Sequence, residues 1–129
     1  MQAISIAMTI FTIVGTIFLG FSVLPQVFFT LKTKQTAKLS LKLYLLLGIG
    51  TFLMLIYGIG LTVIPQAGSG QNFISWLWSY RIPGIAIVIC EIICSTSSFI
   101  TLSFKISNIR KAKKLQLTEE EYEAKMLGK

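Results

Sequence analysis

Residues 13–40, IVGTIFLGFSVLPQVFFTLKTKQTAKLS, join an apolar run, an internal Pro25-Gln26 pair and a short basic connection in one segment. The pattern continues on either side. No charge occurs from Met1 to Leu31, none from Leu43 to Tyr80, and only Glu91 between Ile82 and Phe104. Each run can cross a bilayer, whose hydrocarbon core of about 30 Å needs about 20 mainly apolar residues. Only 13% of the 129 residues are charged, against about a quarter in soluble domains, so a soluble fold is not expected. The fold class implied is an all-α membrane protein, a three-transmembrane-helix bundle.

The spans fall at about 5–31 (TM1), 41–63 (TM2) and 83–106 (TM3), with an outer loop at 64–82. Together they make a transmembrane repeat over 1–110, followed by a tail of basic and acidic residues over 111–129. The first run lacks a basic n-region and an A-x-A cleavage pattern and exceeds a signal peptide's apolar length, so it is expected to stay as a mature helix. The polar, Gly-containing stretch from Pro65 to Asn72 breaks TM2. Phe73, Trp76, Trp78 and Tyr80 then cluster before Arg81, as expected of an interfacial segment. Pro83 suits the first turn of TM3, where its missing N–H costs nothing.

The net charge of +7 would suggest nucleic acid in a soluble protein. Here the cations flank the spans without interleaved base-stacking aromatics, and they read as topology signals and headgroup contacts instead. Four lie between TM1 and TM2, one (Arg81) between TM2 and TM3, and five from Lys105 to Lys114. The positive-inside rule then predicts a multi-pass protein of the cell (plasma) membrane with its N-terminus outside and its C-terminus cytoplasmic. In the tail, Thr118-Glu119-Glu120-Glu121 has a capping-box pattern for a short helix through Lys125, expected to be solvated.

No enzyme is expected. The chain has no His or Asp, no phosphate-cradling Gly loop and no nucleophile beside a base. No cofactor or metal pattern is present either, and Cys90 and Cys94, four apart on one helix, read as small apolar fillers. On TM3, Glu91, Cys94, Ser95, Ser98 and Thr101 recur at steps of three or four and share a face with Gly84 and Ile87. Glu91 lies roughly 13 Å into the helix, near mid-bilayer. An ionised carboxylate there costs at least about 2.5 kcal/mol, so such a residue faces a cavity or a partner, or stays protonated. TM1 carries Thr9, Thr12, Thr16 and Gly20, and TM2 carries Gly50, Met54 and Tyr57, at spacings that fit close helix approach. Pro25 should kink TM1, with the Gln26 amide available to satisfy the freed carbonyl.

Leu24-Pro25-Gln26-Val27, then Lys32-Thr33-Lys34-Gln35-Thr36, Leu39-Ser40 and Tyr57-Gly58, resemble the PQ-loop signature of bacterial SemiSWEET transporters. The resemblance is clear from about Ile13 to Ile59 and weaker along TM3. It implies a three-helix repeat that forms a parallel homodimer around a central alternating-access pathway, with Pro25 and Gln26 as the hinge. The family's pocket positions, commonly Trp on TM2 and Asn on TM3, fall here on Met54 and Glu91. With Tyr57 and Ser95 these are the expected substrate-binding residues, and Glu91 is the proton-coupling candidate. The function implied is transport of a small polar solute, sugar first by resemblance. Both pocket departures keep an amino acid or cationic metabolite open, because two facing Glu91 carboxylates would titrate as a pair. The rival is a non-transporting membrane scaffold or assembly subunit. Expected partners are a second copy, the solute and the lipid bilayer, with no nucleic acid.

Overall fold

The computed structural model describes residues 2–66, 70 and 72–128; part of the expected outer loop, 67–69 and 71, lies outside them. All regular structure among the described residues is helical, in the order α1 Gln2–Thr33, α2 Leu41–Val63, a short α3 Phe73–Trp76, α4 Ile82–Lys114 and α5 Glu119–Met126. A π-helical turn, Leu77–Arg81, joins α3 to α4 so that Phe73–Lys114 is one continuous rod. Three of these helices are long and apolar enough to span a membrane. Among the described residues the fold is all-helical, with three helices of the length and apolarity of membrane spans.

Its burial is the reverse of a soluble domain's. Phe11, Phe18, Leu46 and Phe99 are all at least 70% exposed, and only a few apolar side chains are enclosed. Lipid or another chain must cover that surface. What is buried is mostly one stripe of α4: Gly84, Ile87, Glu91, Cys94, Ser98, Thr101, Lys105, Asn108 and Ala112. These positions alternate in steps of three and four, the period that keeps a seam on one side of a helix.

Both α1 and α2 pack on this seam and barely touch each other. α1 runs parallel to α4 at a nearly constant offset. Ser5 meets Ser79, the Cys90 thiol donates to the Thr16 carbonyl, and Asn108 donates to the Lys34 carbonyl, each pair 74 residues apart. α2 runs antiparallel and lies close. A Cβ on Gly58 would stand 2.8 Å from Ile87 Cγ2, and one on Gly84 would stand 2.9 Å from Thr62 Cγ2. Glycine at these two sites is therefore required by contact, in keeping with small residues at membrane helix interfaces.

The ends of α4 depart from expectation. Pro83 does not begin the helix, because Phe73 to Arg81 already continue it outward. In the π register the Trp78 carbonyl would await the amide of residue 83, which is proline and has none. The Ile82 N–H, its α-helical alternative, goes to Leu77. The Thr9 hydroxyl donates to the Trp78 carbonyl instead, so a backbone acceptor orphaned by Pro83 is satisfied from α1. At the other end α4 runs to Lys114, eight residues past the expected limit and through the 110/111 boundary. The added turns are held by a polar network.

That network also corrects the solvated tail. Gln116 takes a left-handed φ of 55° and reverses the chain after α4. Thr118 then caps α5 with Glu121 in a reciprocal capping box. Glu123 is buried, and its Oε1 accepts from the Thr36 and Ala37 amides and from Asn108 Nδ2. Lys105 Nζ donates to the Thr36 carbonyl at 2.8 Å and to Glu119 Oε2 at 2.6 Å, while the Thr36 hydroxyl donates to Glu119 Oε1 at 2.8 Å. Burial is tolerable for these charged groups because Lys105 is paired with Glu119 and Glu123 accepts from three N–H donors.

Candidate functional site

Because α1 and α2 splay over α4, a groove of about 520 Å³ lies between them with α4 as its floor. One wall is the face of α1 that carries Ser5, Thr9, Thr12 and Thr16. The other is α2, which contributes Met54 and Tyr57. Pro83, Ile87 and Glu91 line the floor, and Ser79 and Tyr80 of the π turn close one end.

Most of the α1 hydroxyl protons are already engaged within the protein. Thr12 donates to the Met8 carbonyl at 2.9 Å and Thr16 to Ile13 at 2.8 Å, while the Ser5 and Ser79 hydroxyls pair at 2.6 Å. Such hydroxyls retain lone pairs, so toward the groove they are chiefly acceptors. Glu91 is 7% exposed and its Oε2 has no hydrogen-bond partner among the described residues. No Lys or Arg lines the groove. Neutralisation of this carboxylate must therefore come from a proton or from an occupant of the groove.

Of the expected site residues, Met54, Tyr57 and Glu91 line this one groove. Ser95 does not. It is half-buried against α2, in a separate shallow cavity with Tyr44, Gly48, Phe52 and Ser98. Pro25 is exposed on the outside of an unbroken α1, and the Gln26 amide turns toward Thr30 Oγ1 at 3.5 Å instead of back to the carbonyl freed by Pro25. Gln26 also lines a cavity of about 500 Å³ with Phe29, residues 37–39 of the loop, and Glu123 of α5.

Two proteins of Ureaplasma parvum serovar 3 resemble this chain along nearly its whole length. It is 44% identical to the uncharacterized protein UU007, over 98% of this chain and 74% of that protein. It is 32% identical to the uncharacterized protein UU042, over 95% of this chain and 87% of that protein. This chain belongs to their family. No protein-family model matches it, and no solved structure matches it. What this family does must therefore be argued from the geometry of the groove.

Sequence reasoning picked out Thr9, Thr12 and Thr16 without assigning them to a site, and it missed Ser5, Ser79 and Tyr80. The signal for the threonines was present in their three- and four-residue spacing. For Ser79 and Tyr80 none existed, since a π turn places them over the groove. At the basic end, Lys105, Asn108, Thr36 and Glu123 were missed as a set. They continue the steps of the α4 seam, but their polarity hides them.

Proposed function

We propose that this chain is one PQ-loop-type repeat, two copies of which form a parallel homodimer that transports a small polar solute by alternating access. One observation carries the reading: a buried carboxylate whose Oε2 has no hydrogen-bond partner among the described residues floors a hydroxyl-lined groove that three helices leave open on one side. A second copy facing that opening would enclose the groove and bring two Glu91 carboxylates toward one pathway. Membrane interiors hold ionisable groups of this kind chiefly on solute or proton routes. In this reading Met54 and Tyr57 form the wall against which the solute rests, and Pro25 with Gln26 marks the hinge. The basic ends of the helices lie in the cytoplasm.

Sugar stands first among solutes by the PQ-loop resemblance, and the hydroxyl lining of α1 suits it. The unpartnered Glu91 favours a second reading, an amino acid or other cationic metabolite, or a sugar carried with a proton. Uptake into proteoliposomes of a panel of labelled sugars and amino acids, with and without a pH gradient, tests these readings together. Accumulation of one class above empty liposomes is expected. Absence of flux for every solute, from protein that cross-links as a dimer, would favour a scaffold.

A further inference from the structure

α1 is fastened to α4 at both ends. At the outer end the ties are the Ser5–Ser79 hydroxyl pair and the Thr9 bond to the Trp78 carbonyl. At the basic end they run through the loop that follows α1, where Asn108 and Lys105 hold the Lys34 and Thr36 carbonyls at 2.8 Å each. Pro25 lies between the two sets of ties, so a bend there can move residues 26–33 only if one set lets go.

The basic-end set is built to be released. Its carbonyls are held by α4, but the two loop amides, Thr36 N–H and Ala37 N–H, are held by a different element, through Glu123 Oε1. Among the described residues the Lys105 charge is likewise balanced only by Glu119. Both carboxylates sit on α5, an eight-residue helix attached to α4 through the short turn at Leu115–Leu117. Helices this short have little stability of their own and stay folded through what they dock on. Undocking α5 strips the Thr36 and Ala37 amides of their acceptor and the Lys105 ammonium of its counter-ion at once.

We propose that α5 is a strap: Glu119 and Glu123 clamp Thr36 and Ala37 of the loop against α4, and their release lets residues 26–33 swing about Pro25. The docking of α5 on the loop stands on this geometry alone. The hinge at Pro25 and the effect on flux rest on the transporter reading. Neither carboxylate touches the groove, so both act as positioning residues.

The test uses the full chain in liposomes, with Cys90→Ala and Cys94→Ala as background. Spin labels go on Phe28→Cys and Ser103→Cys, both exposed and at one level of α1 and α4, with labelled chains diluted into unlabelled ones. A control pair, Leu53→Cys and Phe99→Cys, reports on α2 against α4. Pulsed electron paramagnetic resonance should give one narrow distance for the parent. Glu123→Ala, and independently deletion of residues 116–129, should each add a longer-distance population, removed again by Pro25→Ala, while the control pair stays fixed. A parental distance in both variants, or loosening of the control pair alongside, overturns the strap. Flux is measured on the same vesicles. If the parent carries solute, both variants should change its rate at least severalfold in the same direction, and an unchanged rate despite the swing refutes control of transport by α5. If the parent carries none, the transporter reading fails while the distances still judge the strap.

Discussion

Replacing Gly84 with alanine should weaken the bundle, although alanine is the better helix former. The added Cβ would lie 2.9 Å from Thr62 Cγ2, 3.0 Å from Leu61 Cβ and 3.1 Å from Thr62 N, where comfortable contacts begin at about 3.5 Å. Two of those three atoms belong to the α2 backbone or the root of a side chain and cannot rotate away. α2 must therefore back off by about half an ångström, at the ~1–3 kcal/mol typical of overpacking. Against this stands up to ~1 kcal/mol gained in helix propensity. Gly60→Ala separates the two effects, because nothing lies within 4 Å of its new Cβ and it collects the propensity gain alone. Thermal unfolding in mild detergent should thus place Gly60→Ala at or above the parent and Gly84→Ala below it, ~1–3 kcal/mol apart. If Gly84→Ala proves as stable as Gly60→Ala, the close α2–α4 approach is refuted.

Glu91→Gln keeps the shape of the groove floor while fixing a neutral group, so it should preserve the dimer and solute exchange but abolish accumulation driven by a pH gradient. Uptake that ignores the gradient in both parent and variant would make Glu91 structural. Pro25→Ala should slow transport at least severalfold with little change in melting temperature, and a parental rate across substrate concentrations would remove the hinge. Acid should loosen α5. The Thr118 backbone N–H, and after it the Thr118 side chain, hold the Glu121 carboxyl below its ordinary value. The stabilisation is therefore complete above the usual carboxylate pKa of about 4.3 and is lost as pH falls through the depressed value. Hydrogen exchange of residues 119–126, followed from pH 7 to pH 3 with intrinsic rates corrected, should show protection falling at the acid end and less steeply in Glu121→Gln. Equal profiles for the two would rule out the capping carboxylate as the cause.

The three spans were legible because charge-free runs of that length admit few other structures. The α4 seam was legible only from Gly84 to Thr101. Lys105 and Asn108 continue its period, but a lysine next to a membrane span ordinarily marks the boundary, and only the distant Glu119 and the loop carbonyls make its burial affordable. Ser95 illustrates a one-residue ambiguity. Glu91 has helical neighbours at both Cys94 and Ser95, and which of them turns inward depends on how α1 and α2 divide the surface of α4. The groove itself depended on a 74-residue parallel register that no local pattern encodes. The tail was misjudged for the same reason, since its glutamates find their donors in a loop more than eighty residues away.

The close pairing of α2 and α4 has a consequence for the membrane that holds it. α2 has 23 residues, roughly 35 Å of helix, and it is the shortest of the spans. Its fit to the local hydrocarbon thickness is therefore the tightest constraint on the bundle. Where the bilayer is thin, a helix of this length relieves mismatch chiefly by tilting. Contact at Gly58 and Gly84 obliges α4 to tilt with it, and α1, tied to α4 at both ends, follows through α4 although it hardly touches α2. Tilting the bundle moves Glu91 in depth, so acyl-chain length becomes a variable that sets where the carboxylate sits across the membrane.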